Sequence, residues 1–203
     1  MFSSIGADLA GTSNNCHPVE RVTFSDIKEV GDSLTYLLPQ ESPFVFWKSK
    51  VMEYIFTDTS VVIIERNNAI GVQRKIKRYL YAQTEFDCPI METPGVGMTD
   101  YSCTIRIVMN TLPESVLSID VDKKYFESHA KPFYLAMCEI VEIQAMQRRS
   151  YAIASSLLGK SQILIQNSTE NNIANMMIES TKLIESAYLK HNFGNIFAKH
   201  MNK

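Results

Sequence analysis

The sequence predicts an α+β fold, an antiparallel strand meander followed by helices, and two observations carry that prediction. Across residues 53–109 short β-branched and aromatic runs are separated by turn residues, and on both sides of that stretch apolar residues recur at intervals of three and four. Val, Ile, Thr, Tyr and Phe favour strands because they pack well on a pleated surface. The three-to-four spacing lines up side chains on one helix face.

Composition is compatible with such a fold. The chain has 203 residues, enough for one sizeable core or a small domain with a helical appendage. Its 45% hydrophobic and 21% charged content excludes wholesale disorder, and a formal charge of −2 gives no whole-chain drive toward nucleic acid. Residues 1–43 hold 2 basic and 6 acidic side chains, residues 44–122 hold 8 and 10, and residues 123–203 hold 10 and 6, so the positive excess lies in the tail. Cys16, Cys88, Cys103 and Cys138 form no C-x-x-C pair and no His stands at ligand spacing from them. That is the pattern of free, mostly buried thiols in a reducing compartment. No basic stretch with an apolar run behind it opens the chain, and no apolar stretch approaches the ~20 residues a membrane span needs. A soluble, cytoplasmic protein is expected.

Residues 1–22 are small and polar, with Gly6, Gly11, Thr12, Ser13, Asn14 and Asn15, and read as a mobile arm. With Thr23 or Ser25 as cap, Phe24, Ile27, Val30, Leu34, Leu37 and Leu38 predict an amphipathic helix ended by Pro39; Gly31 inside it costs about 1 kcal/mol against alanine. Phe44-Val45-Phe46-Trp47 is the first strand of the meander. Strands follow around residues 53–57, 61–64, 72–81, 90–93 and 101–109, with Asp58-Thr59-Ser60, Asn67-Asn68 and Pro94-Gly95 as turns, and residues 116–121 close the series by alternation. Phe126, Phe133, Met137, Ile140, Val141, Gln144 and Ala145 trace a helix over 123–147, with Pro132 in its first turn, where a missing N–H costs nothing. The pattern continues from Tyr151 to Leu158 and is expected to break at Gly159. Ile173, Met176, Met177, Leu183, Ile184, Ala187 and Tyr188 predict a second helix over 171–187, after a hairpin loop at 166–172.

Three local signatures stand out in this series: Phe56-Thr57-Asp58 ahead of an apolar strand, Gly71 ahead of a Lys/Arg-containing strand ending in an aromatic, and Glu92-Thr93-Pro94-Gly95 with Asp100 before the next strand. In that order they resemble the bacterial pleckstrin-homology-like (PH-like) domains of the YvbH-like type, over residues 34–142, with a helical tail that also has a counterpart in the family. The chain has Pro94 where the family has Ala, and Leu80-Tyr81 where it has Pro-Tyr. The resemblance implies a PH-like antiparallel β-roll or barrel capped by a C-terminal helix. It also implies ring-like homo-oligomers assembled with help from the tail. The signatures are those of turns, so Thr57, Asp58, Gly71, Glu92 and Gly95 are given structural turn roles.

Arg74, Lys75, Lys77 and Arg78 form the most prominent candidate site. Basic side chains on a strand pair with lipid phosphates, so anionic lipid or phosphoinositide is one reading. A solvated face or a lysine-guarded edge strand is the favoured one, because alternation puts Arg74 and Arg78 on one face with Ile76, and Lys75 and Lys77 on the other. Asp58, Glu92 and Asp100 have no His or nucleophile near them in sequence for acid–base work. Gly95-Val96-Gly97 lacks the third glycine and the helix of a dinucleotide loop. Cys138 and His129 are too far round a helix to form a dyad, and His191 and His200 lack a third metal ligand. Met176 and Met177 read as packing or as an adaptable partner surface, and Arg148 and Arg149 as an exposed turn of a long helix.

Three segments result: an arm at 1–22, a PH-like domain with a leading helix at 23–147, and a helical tail at 148–203, read as an oligomerisation hairpin. The expected function is a non-enzymatic interaction or scaffold module without cofactor or metal. It would self-associate through Ile153, Leu157, Ile173, Met176, Met177, Ile184 and Tyr188, because amphipathic helices on an already closed domain need a cover and a symmetric copy is the commonest supplier. A different protein partner is the other open reading, and a membrane surface met through the basic strand is the alternative.

Overall fold

The computed structural model describes residues 17–18, 31–49, 51–66, 73–93, 102–110, 115–164, 178–183 and 192–201. Strands β1 (His17–Pro18), β2 (Pro43–Lys48), β3 (Met52–Thr57), β4 (Ser60–Arg66) and β5 (Arg74–Leu80) pair in that order as one antiparallel sheet, and β6 (Glu85–Glu92), β7 (Ser102–Asn110) and β8 (Ser115–Asp122) form a second. Helix α1 (Lys131–Leu164) follows, then helical residues 178–183 and helix α2 (Gly194–Met201). Among the described residues no ladder joins the two sheets, so of the expected roll or barrel the structure is the open roll.

Burial explains the two strand patterns. On β7 buried and less buried residues alternate, and Cys103, Ile105, Ile107 and Met109 face the core, as a sheet with one wet face requires. In β4, by contrast, Val61, Val62, Ile63 and Ile64 are all buried. Val61 and Ile63 join the main core between the sheets, while Val62 and Ile64 join a second cluster with Leu34, Phe46 and Ile55 on the opposite face. The uninterrupted apolar run thus reflects a strand covered on both sides.

That second face is covered by Leu34, Tyr36 and Leu37; the later half of the expected amphipathic helix is here a 3-10 helix (Gly31–Tyr36), and its first half, residues 24–30, lies outside the described residues. The segment carries Gly31, Asp32 and Ser33, all poor α-helix formers, and burial of Leu34 anchors it, with Leu37 packing beside it and Leu38 exposed. His17 and Pro18, assigned to the arm, pair with Lys48 and Trp47 as β1.

Asp122 starts the helical region by accepting the Lys124 N–H at 3.2 Å. Alanine 130, Phe133, Ala136, Met137, Ile140 and Gln144 of the helical region are buried. Gln144 joins helix to sheet, its carbonyl accepting the Phe86 N–H at 3.0 Å and its amide donating to the Thr84 and Tyr81 carbonyls at 3.1 and 3.3 Å. Gly159 does not end the helix: α1 runs through it for 34 residues, about 51 Å at 1.5 Å per residue. One interior glycine costs about 1 kcal/mol and is readily outweighed within a long helix.

The domain does not end at residue 147. Phe193, Ile196 and Phe197, from the expected tail, are buried in the main core. The Phe197 ring lies 6.1 Å from that of Phe44 and 6.2 Å from that of Phe56, and Phe193 lies 5.4 Å from Tyr81. Asp58 secures this return: one carboxylate oxygen accepts the Ser42 N–H at 3.0 Å, the other accepts the Asn192 side chain at 2.8 Å, and its backbone carbonyl accepts the Phe193 N–H at 2.7 Å. Asn192 in turn caps α2 through the Gly194 N–H at 3.0 Å. Gly194 admits the close approach, since a Cβ there would stand 2.8 Å from the Phe44 ring.

Candidate functional site

Strand register sorts the basic cluster. β5 lies at the edge of its sheet, and Ile63 pairs with Lys77, Glu65 with Lys75 and Val62 with Arg78. Lys75 and Lys77 therefore share the inner face with Ile63 and Glu65, and Arg78 lies on the outer face, as alternation predicted.

Arg78 is committed to structure. Its guanidinium donates to both oxygens of Glu41 at 2.5 Å and also to the Tyr36 carbonyl, and Glu41 accepts the Ser60 hydroxyl at 2.5 Å and the Leu38 N–H at 2.8 Å. Burial alone would raise the Glu41 pKa, but hydrogen bonds from Ser60, the Leu38 N–H and Arg78 together hold it below the ordinary carboxylate value. A second outer-face pair joins buried Glu53 to Arg66. Sequence reasoning missed Glu41 because thirty-seven residues separate it from Arg78.

Lys77 and Glu65 instead pair at 2.6 Å at a mouth between the two sheets. Hydrogen bonding from Glu65 raises the Lys77 pKa above its ordinary value against a smaller opposing effect of burial. The mouth opens into a pocket of about 200 Å³ lined by Met52, Tyr54, Ile63 and Tyr79 on one sheet and Met109, Leu117 and Val116 on the other, among others. The Tyr54 hydroxyl bridges the sheets by donating to the Ser118 carbonyl at 3.0 Å, and Val116 on the lip is 60% exposed.

The remaining predicted positions are scattered. The Thr57 hydroxyl accepts the Ser60 and Thr59 N–H groups at 2.8 and 3.2 Å, and Asp58 adds the latch on α2. Glu92 is not in a turn: it ends β6 and pairs with Arg106 at 2.8 Å in the open. Cys138 is half-buried on α1 and Arg148 meets Glu85 at 3.1 Å. His200 contacts Glu139 at 2.7 Å, beside Lys199, so it fastens α2 to α1. Gly71, Gly95, Asp100, Ile173, Met176, Met177, Ile184, Tyr188 and His191 lie outside the described residues, as does the side chain of Leu157. Among the described residues no group of His, Cys, Asp and Glu is arranged to hold a metal ion, and no helix is long and apolar enough to cross a membrane.

Ile153, the interface candidate whose side chain is described, is 62% exposed on α1. Beyond Gln144, the last buried residue of the helix among those described, none from Ala145 to Ser156 is buried, and Met146 is 61% exposed. Ile178 and Leu183 of the helical stretch 178–183 are exposed as well.

No protein-family model matches the chain. It is 25% identical to YvbH of Bacillus subtilis over the full length of both proteins. It also superposes on the crystal structure of a PH-domain-containing bacterial protein from Exiguobacterium sibiricum with a TM-score of 0.77, at 23% identity, over 93% of this chain and all of that one. Two antiparallel sheets followed by a C-terminal helix, together with this superposition, show that the chain has a PH-like fold, and its sequence is similar to that of YvbH from end to end.

Proposed function

We propose that the chain is a non-enzymatic scaffold module that self-associates through the part of its helical tail that the domain leaves uncovered. The observation that supports this is the course of α1. The helix continues for several turns past its last described core contact, and Met146 and Ile153, seven residues apart and hence on one face, remain more than half exposed. An uncovered helical extension draws little stability from propensity alone and more from packing of an apolar face. A second copy presents the same face to it.

The test must spare α2, whose residues fill the core, so a chain cut after Leu158 would confuse assembly with folding. Size-exclusion chromatography with light scattering on the full chain and on the double variant Met146→Glu, Ile153→Glu separates the two. The full chain is expected to form a defined oligomer and the variant a folded species nearer the 23.1 kDa of one chain. A full chain that stays monomeric up to about 100 μM would overturn the proposal, since interfaces of ~800 Å² per partner hold well below that concentration. Binding of anionic lipid through residues 74–78 draws less support, because the register divides the cluster between two faces and Arg78 is committed to Glu41.

A further inference from the structure

We propose that the mouth between the two sheets binds a small monoanionic amphiphile, a short-chain carboxylate whose apolar body enters the pocket and whose carboxylate meets Lys77. Size and charge point to this ligand, and the lining mixes apolar side chains with the polar groups of Tyr54, Tyr79, Ser118, Glu65 and Lys77. The pocket of about 200 Å³ has room for roughly six waters at ~30 Å³ each, which suits a chain of a few carbons. Its floor combines Tyr54, Ile63, Leu117 and Met109, all buried, with half-buried Met52 and Tyr79 nearer the opening. Methionine side chains on both sheets adjust to an irregular guest.

The charge at the rim selects the head group. Lys77 engages Glu65 with one of its three donors, and about a third of its side chain remains accessible. Lys75, paired in register with Glu65 on the same face, is exposed beside it. Among the described residues of this face, two ammonium groups stand against one carboxylate, an excess of one positive charge that matches a monoanion. A dianionic phosphate would bring its second charge against Glu65. Glu65 also fixes the Lys77 ammonium at the rim, so less freedom is lost when a ligand arrives.

The experiment uses the full chain labelled at its methionine methyls, with the Met52 and Met109 signals assigned through Met52→Leu and Met109→Leu. Hexanoate, hexan-1-ol and hexyl phosphate are titrated in parallel. Both methyl signals are expected to shift saturably with hexanoate. Hexanol should bind about tenfold more weakly, and Lys77→Gln should weaken hexanoate by about the same factor while leaving hexanol unchanged, as loss of one charge-assisted hydrogen bond requires. Unmoved methyls, or hexanol binding as tightly as hexanoate, would overturn the site. Tighter binding of hexyl phosphate would overturn the carboxylate assignment in favour of a phosphate head group. The comparison of ligands on the unaltered chain stands even if Lys77→Gln proves unstable.

Discussion

Replacing Phe197 with alanine removes the side chain that holds α2 in the core, and the structure sets the size of the loss. Phe197 is fully buried and packs between Phe44 and Phe56, and Phe→Ala at such sites costs about 3–5 kcal/mol in lost transfer energy and cavity. For a chain of this length each kcal/mol moves the melting temperature by about 2–4 °C, so a fall of about 6–20 °C is expected. Trp47 is the chain's one tryptophan and is fully buried, so its fluorescence during urea unfolding reports the core directly. Ile153→Ala, at an exposed position, provides the control and should stay within ~0.5 kcal/mol, measured where the chain is monomeric. A loss below about 1 kcal/mol for Phe197→Ala would refute the docking of α2, because a residue on a free tail has no cavity to leave behind.

Arg78→Ala should destabilise the chain by about 3–5 kcal/mol by stranding the buried Glu41 carboxylate, whereas Lys75→Ala should be near neutral; equal effects in urea unfolding would contradict the separation of the cluster by face. The lowered pKa of Glu41 means that its stabilising contribution is complete above the unfolded carboxylate value of about 4.3 and is lost as pH falls through the lower folded value. Glu41→Gln should therefore flatten the acid limb of a stability-versus-pH curve measured by urea midpoint. Burial pushes the Cys103 thiol up to about 11, so at pH 8 it should resist an aromatic disulfide reagent until denaturant is added; rapid labelling of the native chain at Cys103 would show that the β7 face opens readily. Gln144→Leu leaves the Phe86 N–H without its buried acceptor and should cost about 1–3 kcal/mol by the same fluorescence assay.

Most strands were legible because their signal is local. Aromatic and β-branched runs between turn residues placed β2, β3, β4, β5, β7 and β8 within a few residues, and the spacing of Phe133, Met137, Ile140 and Gln144 gave the buried face of α1. Strand β6 was placed late because its first half, Glu85-Phe86-Asp87-Cys88-Pro89, mixes charges and a proline into the run. Alternation along the basic strand separates its two faces, as the register has them. Which face would be consumed by structure was not legible, because the deciding partner, Glu41, lies in a loop far away along the chain.

The sequence by itself determined the order of strands, the capping helix and the resemblance to bacterial PH-like domains, since each depends on residues near one another along the chain. Tertiary structure alone decided three things. Among the described residues it joined the two sheets by no ladder, with the pocket at Lys77 between them. It gave Asp58 a second task, as the anchor for residues more than a hundred positions away. It also drew Phe193, Ile196 and Phe197 out of an expected assembly tail and into the core. The physical reason is common to all three: a short amphipathic segment carries in its sequence the need to bury an apolar face, but which surface covers it is settled by shape and long-range contact.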